Sequence, residues 1–256
     1  MIRLCSLGIG TSDYSDVFGV SVDPGIAREV IGAAGNYRAD FNVVLKQNMM
    51  IAASLRDLAA VSAPGYQTGK MIFRKEVEGD VAGSGYVSFT SATNKCMVVP
   101  QGISWSSGGM ASLSLMMQFL STNGTTAPVT VGTAAGDLEA VSEVYVGASS
   151  CVENINLNFG YTLRPCKDGL LYPHKTFVVS QRPTLTIVTS DESGLDTANI
   201  APGEIATLTA SFAKVAEGGV RGATRSYALT GHIQRSVGAD GNTTVSVQGK
   251  GGFTIS

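Results

Sequence analysis

The sequence predicts a mainly β protein organised as two β-rich halves, and three observations carry that prediction. Short runs alternate apolar and polar residues with a period of two, as in Ile155-Asn156-Leu157-Asn158-Phe159. Turn dipeptides, Asn123-Gly124 and Asp240-Gly241, stand between such runs. The chain also holds 31 Gly among its 256 residues, with Ser, Thr and Asn frequent, which suits strands joined by turns.

In chain order, Ile26-Ala27-Arg28-Glu29-Val30-Ile31 after Asp23-Pro24-Gly25 predicts a short helix with proline near its first turn. Residues 41–45 predict a strand. Residues 50–61 carry Leu55, Leu58 and Ala59 at helical spacing, with Arg56 and Asp57 on the other side, and predict a second helix. Met71-Ile72-Phe73 and residues 86–89 are further short strands. Residues 111–120 alternate, with Leu113 and Leu115 on a richly apolar face. Asn123-Gly124 follows, and Val129-Thr130-Val131 reads as the return strand of a hairpin, starting late because of Pro128.

Thr133-Ala134-Ala135-Gly136-Asp137 has no large apolar side chain and predicts a surface connection. The division that follows is a domain over 1–132, a linker over 133–139 and a second domain over 140–256. In the second half, Ile155, Leu157, Phe159, Tyr161 and Leu163 predict one strand with one apolar face. Lys167-Asp168-Gly169 turns the chain, and residues 176–179 and 185–189 continue the sheet. Residues 226–234, including Tyr227 and Leu229, lead through Asp240-Gly241 to a return strand at 243–247. The two glycine turns, each followed by a Thr-Thr pair and Val-x-Val, suggest an internal repeat of about 120 residues, or hairpins converging on the same turn chemistry.

Charge sets the first functional bounds. Lys and Arg number 18 and Asp and Glu 20, a net charge of −2, and charged residues are only 15% of the chain, against about 25% in soluble domains. No basic cluster offers the face that tight duplex binding requires. A charge deficit fits surface buried between subunits. Cys5, Cys96, Cys151 and Cys166 form no C-x-x-C pair and predict free, mostly buried thiols and folding in a reducing cytosol. The apolar stretch near Met1 is short for a secretory leader, and no run approaches the length that crosses a membrane.

Catalytic patterns are absent from the sequence. His174 and His232 are the only histidines, and no Gly-x-Ser-x-Gly elbow, phosphate loop or complete dinucleotide fingerprint accompanies them. The expectation is no enzyme, no cofactor and no metal. Residues 191–196 (Asp-Glu-Ser-Gly-Leu-Asp) offer oxygen ligands without the order of an EF-hand, and residues 75–80 read as a solvated strand edge. Trp105, the sole tryptophan, is a candidate for sugar stacking or for burial. Met49-Met50 and Met116-Met117 are gap-filling pairs suited to cores or interfaces.

The segments Val144-Tyr145-Val146-Gly147, residues 152–160, Asp168-Gly169-Leu170-Leu171-Tyr172-Pro173 and residues 181–187 resemble the tail tube (major tail) proteins of long, non-contractile-tailed bacteriophages, and residues 103–131 fit the same likeness. The resemblance covers roughly residues 103–190. It implies a β-sandwich or open-barrel tail-tube fold with a flanking helix, and possibly two tandem tube-like domains. It also implies self-assembly into trimeric pseudo-sixfold or hexameric rings stacked into a tube. The implied partners are the tape-measure protein, the tail terminator and distal tail proteins, with DNA passing through unbound and no membrane contact. The implied location is the virion tail, after synthesis in the host bacterial cytoplasm. On this reading Leu113, Leu115, Asn123, Gly124, Tyr227, Leu229, Asp240 and Gly241 belong to lumen hairpins, and Trp105, Met116 and Met117 to packing between subunits. The alternatives are a distal tail ring, a capsid decoration protein or a glycan-binding β-sandwich.

Overall fold

A computed structural model describes residues 2–15, 17–23, 25–31, 41–77, 80–134, 143–166, 169–195, 200–216, 219–249 and 251–256. These residues are almost entirely strand. In the first half they form β1 (Ile2–Ile9), β2 (Ser12–Tyr14), β3 (Phe18–Asp23), β4 (Ile26–Ile31), β5 (Phe41–Gln47), β6 (Met50–Leu55), β7 (Gly65–Gln67), β8 (Gly69–Val77), β9 (Asp80–Ser91), β10 (Cys96–Ser106), β11 (Ser112–Phe119) and β12 (Val129–Ala134). The second half contributes β13 (Val144–Gly147), β14 (Val152–Asn158), β15 (Tyr161–Pro165), β16 (Thr176–Gln181), β17 (Thr184–Thr189), β18 (Ile205–Val215), β19 (Arg221–Val237), β20 (Thr243–Gly249) and β21 (Thr254–Ile255). The only helical piece among the described residues is a 3₁₀ turn at Glu192–Gly194, capped by the Asp191 carboxylate accepting from Ser193 N–H.

Every strand pairing is antiparallel. The main sheet runs β13-β18-β19-β20-β17-β14-β10-β11-β6-β3, with β21 and β7 paired to β19 and β10 alongside. A second sheet, β12-β9-β8-β1-β2, packs against it, and β15-β16 and β4-β5 form separate two-stranded sheets. No sheet closes into a barrel. Leu7, Ile9 and Met71 of the second sheet join Ile51, Leu113, Leu157, Leu185 and Val247 of the main one in a single apolar cluster. Alternation explains this directly: the inward residues of each strand share one face, and the facing sheet removes that face from water.

Strands on both sides of residues 133–139 lie in this one sheet, because β10 pairs with β14 through Ile103↔Leu157 and Trp105↔Ile155. Thr133 and Ala134 are the last residues of β12, and residues 135–139 lie outside the described ones.

Four expectations need correction. Residues 26–31 form β4, paired to β5, not a helix. Residues 50–55 form β6 between β11 and β3, and the chain turns after Leu55, so the second helix is also absent. The helical spacing of Leu55 and Leu58 arises because both reach the core, one from a strand and one from a turn. Third, β11 and β12 form no hairpin: β11 pairs with β10 and β6, whereas β12 pairs with β9 in the other sheet. Only the second glycine turn closes a hairpin, β19–β20. Fourth, residues 155–163 are not one strand. Gly160, at φ +65°, leaves β14 for β15, and a Cβ there would stand 1.9 Å from the Arg182 carbonyl oxygen. A non-glycine residue pays both a backbone and a steric penalty at such a corner.

Candidate functional surface

The outward side of the main sheet is the most distinctive surface of the molecule. Its character follows from strand alternation, since the residues between the buried ones are mostly hydroxyl or amide, with Ala52, Met116, Val188, Ala228 and Ile205 as apolar exceptions. One cross-strand row reads Ser112, Ser104, Asn156, Thr186, Ser246 and Gln234, on β11, β10, β14, β17, β20 and β19 in turn. The adjacent row includes Ser114, Asn158, Thr184 and Gln248. From the β6–β11 pairs to Ser211↔Ser226, no outward cross-strand pair contains Asp, Glu, Lys or Arg.

Hydroxyls on this side pair with one another. Ser104 Oγ and Ser112 Oγ are 2.9 Å apart, Thr207 Oγ1 and Thr230 Oγ1 2.6 Å, and Ser211 Oγ and Ser226 Oγ 2.9 Å. Each pair satisfies one hydrogen bond laterally and leaves the surface polar without charge.

One end of this face is covered by the β15–β16 hairpin. Tyr161 and Leu163 pack against Met97, Val99 and Leu120. A polar relay fixes the hairpin: Gln118 Nε2 donates to Asn48 Oδ1 at 2.6 Å, and Thr176 Oγ1 donates to Gln118 Oε1 at 2.7 Å. Tyr66 Oη donates to the Thr176 carbonyl and accepts from Thr176 N–H at 3.0 Å. Gln118 and Thr176 are buried, so the relay satisfies groups that burial would otherwise penalise.

The path of the main sheet ends at β3 on one side and β13 on the other. Val20 and Val22 of β3 are exposed. An open edge with apolar side chains is a template for pairing with another chain.

The residues singled out from sequence fall into three places. Leu113, Leu115, Tyr227 and Leu229 are buried in the chain's own core, so their strands present the intervening hydroxyls, not these side chains, outward. Asp240 and Gly241 form the exposed β19–β20 turn. Asn123 and Gly124 lie in the loop between β11 and β12. Asn123 Oδ1 accepts from Thr125 N–H at 3.0 Å and Thr126 N–H at 2.8 Å, and Gly124 O accepts from Tyr172 N–H at 2.9 Å. A Cβ on Gly124 would stand 2.2 Å from Leu170, so replacing this dipeptide perturbs the fold itself.

Trp105 and Met117 are buried within the chain, and Met116 is half-buried beside Tyr161 and Leu163. Trp105 Nε1 donates to the Gly109 carbonyl at 2.9 Å. An indole so enclosed presents no open face to a sugar ring, which counts against the glycan-binding alternative.

Electrostatic features lie off the outward face. Hydrogen bonds from Lys214 and Tyr145 hold the Glu143 carboxyl below its ordinary range. Tyr227 Oη accepts from Arg225 Nε at 2.8 Å and donates to the Leu58 carbonyl at 3.1 Å, and burial pushes its phenol up. Burial also raises the Cys96 thiol far above the ordinary cysteine range. Cys151 is exposed and Cys166 half-buried, whereas Cys96 is buried as the sequence led us to expect. Among the described residues no three His, Cys, Asp or Glu side chains cluster as metal ligands. Asp196 lies outside the described residues.

Neither a protein-family model nor a curated protein matches the chain. The uncharged face was missed from sequence because each Ser, Thr or Asn reads alone as a filler between apolar residues. Register is what assembles them into rows.

Proposed function

We propose that this chain is a non-enzymatic structural protein that joins copies of itself into stacked rings, forming the tail tube of a long, non-contractile phage tail. The observation that carries the reading is the hydroxyl- and amide-rich outward face of the main sheet, whose path ends at the exposed strand β3. Ring closure would cover the β3 edge, which otherwise invites uncontrolled association; at the other end β13 already meets the chain's own Ala111, whose N–H donates to the Tyr145 carbonyl at 2.7 Å. A wall of hydroxyls and amides would neither capture nor repel a polyanion, because phosphate affinity comes from fixed cations. The low overall charge of the chain fits extensive contact between copies. The resemblance of residues 103–190 to tail tube proteins points the same way.

The implied partners follow from the tube: a tape-measure protein inside during assembly, terminator and distal proteins at the ends, and DNA in transit. Negative-stain electron microscopy of concentrated protein tests the proposal. Long tubes of uniform bore support it, and short closed rings favour a distal tail or decoration protein. A compact monomer that stays monomeric at high concentration overturns it.

A further inference from the structure

The β16 edge of the β15–β16 hairpin is finished at one residue by a side chain. Tyr66 Oη accepts from Thr176 N–H at 3.0 Å and donates to the Thr176 carbonyl, so a phenol stands where a neighbouring strand would bond. In an antiparallel ladder, alternate residues turn their N–H and C=O to the same side. The β16 register is regular from Thr176 to Val178 and shifts only beyond it. The Val178 N–H and C=O therefore face the same way as those of Thr176. Among the described residues β16 pairs with β15 alone, so the edge is open at Val178.

A groove of about 640 Å³ runs along that edge, lined by Tyr66, Met97, Phe177 and Val178 and flanked by Lys95 and Lys175. Phe177, Val178 and Val179 are consecutive and all exposed, so both faces of β16 meet water here. No carboxylate lines the groove. Such a site fits an extended segment with apolar side chains and negative charge at its flanks: the open edge supplies main-chain bonds, and the lysines select the sign of the partner.

The chain itself carries a segment of that description. Val20 and Val22 of β3 are exposed at the end of the main sheet, and Asp23, the last residue of the strand, is exposed as well. Between Arg3 and Arg28 the sequence holds Asp13, Asp16 and Asp23 and no Lys or Arg. We propose that β3 of one copy docks edge-on in the β16 groove of the next, with Val20 and Val22 against Tyr66 and Phe177 and Asp23 toward the lysines. The proposal rests on the reading that copies of this chain join, and it names the two surfaces that meet. Because those surfaces differ, the contact runs head to tail and can close a ring.

Two full-chain variants, each blocking one surface, test this by sedimentation. Val20→Lys with Val22→Lys charges the β3 edge, and Lys95→Glu with Lys175→Glu reverses the groove. Circular dichroism confirms that both fold. Each alone should need about tenfold or more the wild-type concentration to assemble, the effect of like charges brought together at a contact. An equimolar mixture retains one intact β3 and one intact groove per pair, so it should sediment as a one-to-one dimer under conditions where neither variant does so alone. Either variant assembling at the wild-type concentration, or a mixture no larger than its components, overturns the proposal. The tube reading fails separately. Short wild-type rings with a mixture that dimerises remove the tube and keep the docking, and wild-type tubes with a monomeric mixture do the reverse. A wild-type chain that stays monomeric overturns both.

Discussion

The Trp105 ring occupies the space that a side chain on Gly147 would need: a Cβ on Gly147 would stand 2.7 Å from the six-membered part of the indole. The contact joins β10 to β13, the strand at one end of the main sheet. Gly147→Ala is expected to cost about 1–3 kcal/mol, the usual penalty for overpacking a filled site. Because Trp105 is the only tryptophan, denaturant unfolding followed by its fluorescence measures the loss. A red-shifted native emission would report the displaced indole. Unchanged stability and emission would mean that the two strands separate freely.

The opposite end of the sheet tests assembly rather than folding. Val20 and Val22 of β3 are 36% and 42% exposed, so charging them leaves the core intact. The double variant Val20→Lys, Val22→Lys blunts the edge in the manner of natural edge strands. It is expected to melt within a few degrees of wild type, as surface changes of about 0.5 kcal/mol do, yet to sediment as a small species. Tubes indistinguishable from wild type would remove β3 from the contact between copies.

Acid stability should carry the mark of Glu143. Its pKa is lowered first by the hydrogen bond from Lys214, then by that from Tyr145. A carboxyl with a depressed folded-state pKa contributes stability that is fully present above its unfolded value, near 4.5, and is lost as pH falls through the folded value. Both partners of the ion pair are more than a third exposed, so the effect is screened and amounts to under about 1 kcal/mol. Melting curves between about pH 6 and pH 3 should converge for wild type and Glu143→Gln at the acid end and separate above it. A constant difference at every pH would show that the ion pair contributes nothing.

Thiol chemistry separates the cysteines. Cys151 is exposed, Cys166 half-buried and Cys96 fully buried with its ionisation suppressed. Only the thiolate attacks a disulfide reagent. Of these three, Cys151 should therefore be labelled first in the native protein, and Cys96 only on unfolding, as peptide mapping after timed labelling can show. Rapid native labelling of Cys96 would indicate that β10 opens locally.

Much of the strand content was legible because alternation is a local signal: β11, β14, β17 and β20 each announce themselves in a handful of residues. Pairing was not legible, because it depends on which strands meet. Asn123-Gly124 has the chemistry of a hairpin turn, yet Ser121, Leu170 and Tyr172 fold it into a loop between two sheets. Tertiary context likewise overrode the helical spacing at 50–61, where Met50–Leu55 found strand partners on both sides, β11 and β3. The candidate surface was hardest to foresee. Leu113 and Tyr227 drew attention as large apolar residues, whereas the surface belongs to their small neighbours Ser112, Ser114 and Ser226.

Those neighbours supply the last test, on the wall itself. Asn156 and Thr186 are cross-strand partners in the middle of the uncharged row, where a long side chain can extend without entering the core. Asn156→Lys combined with Thr186→Lys keeps the inward residues Ile155, Leu157 and Ile187 in place, so folding and tube formation should survive. Two cations per subunit, repeated around every ring, would turn a neutral wall into a phosphate-binding one. Retention of DNA inside the tube should rise by about tenfold or more at low salt and fall steeply as salt is added, the signature of counterion release. In assembled particles the same substitution should slow DNA release. Variant tubes that hold DNA no better than wild type would place this face away from the lumen, and the uncharged rows would then need a different partner.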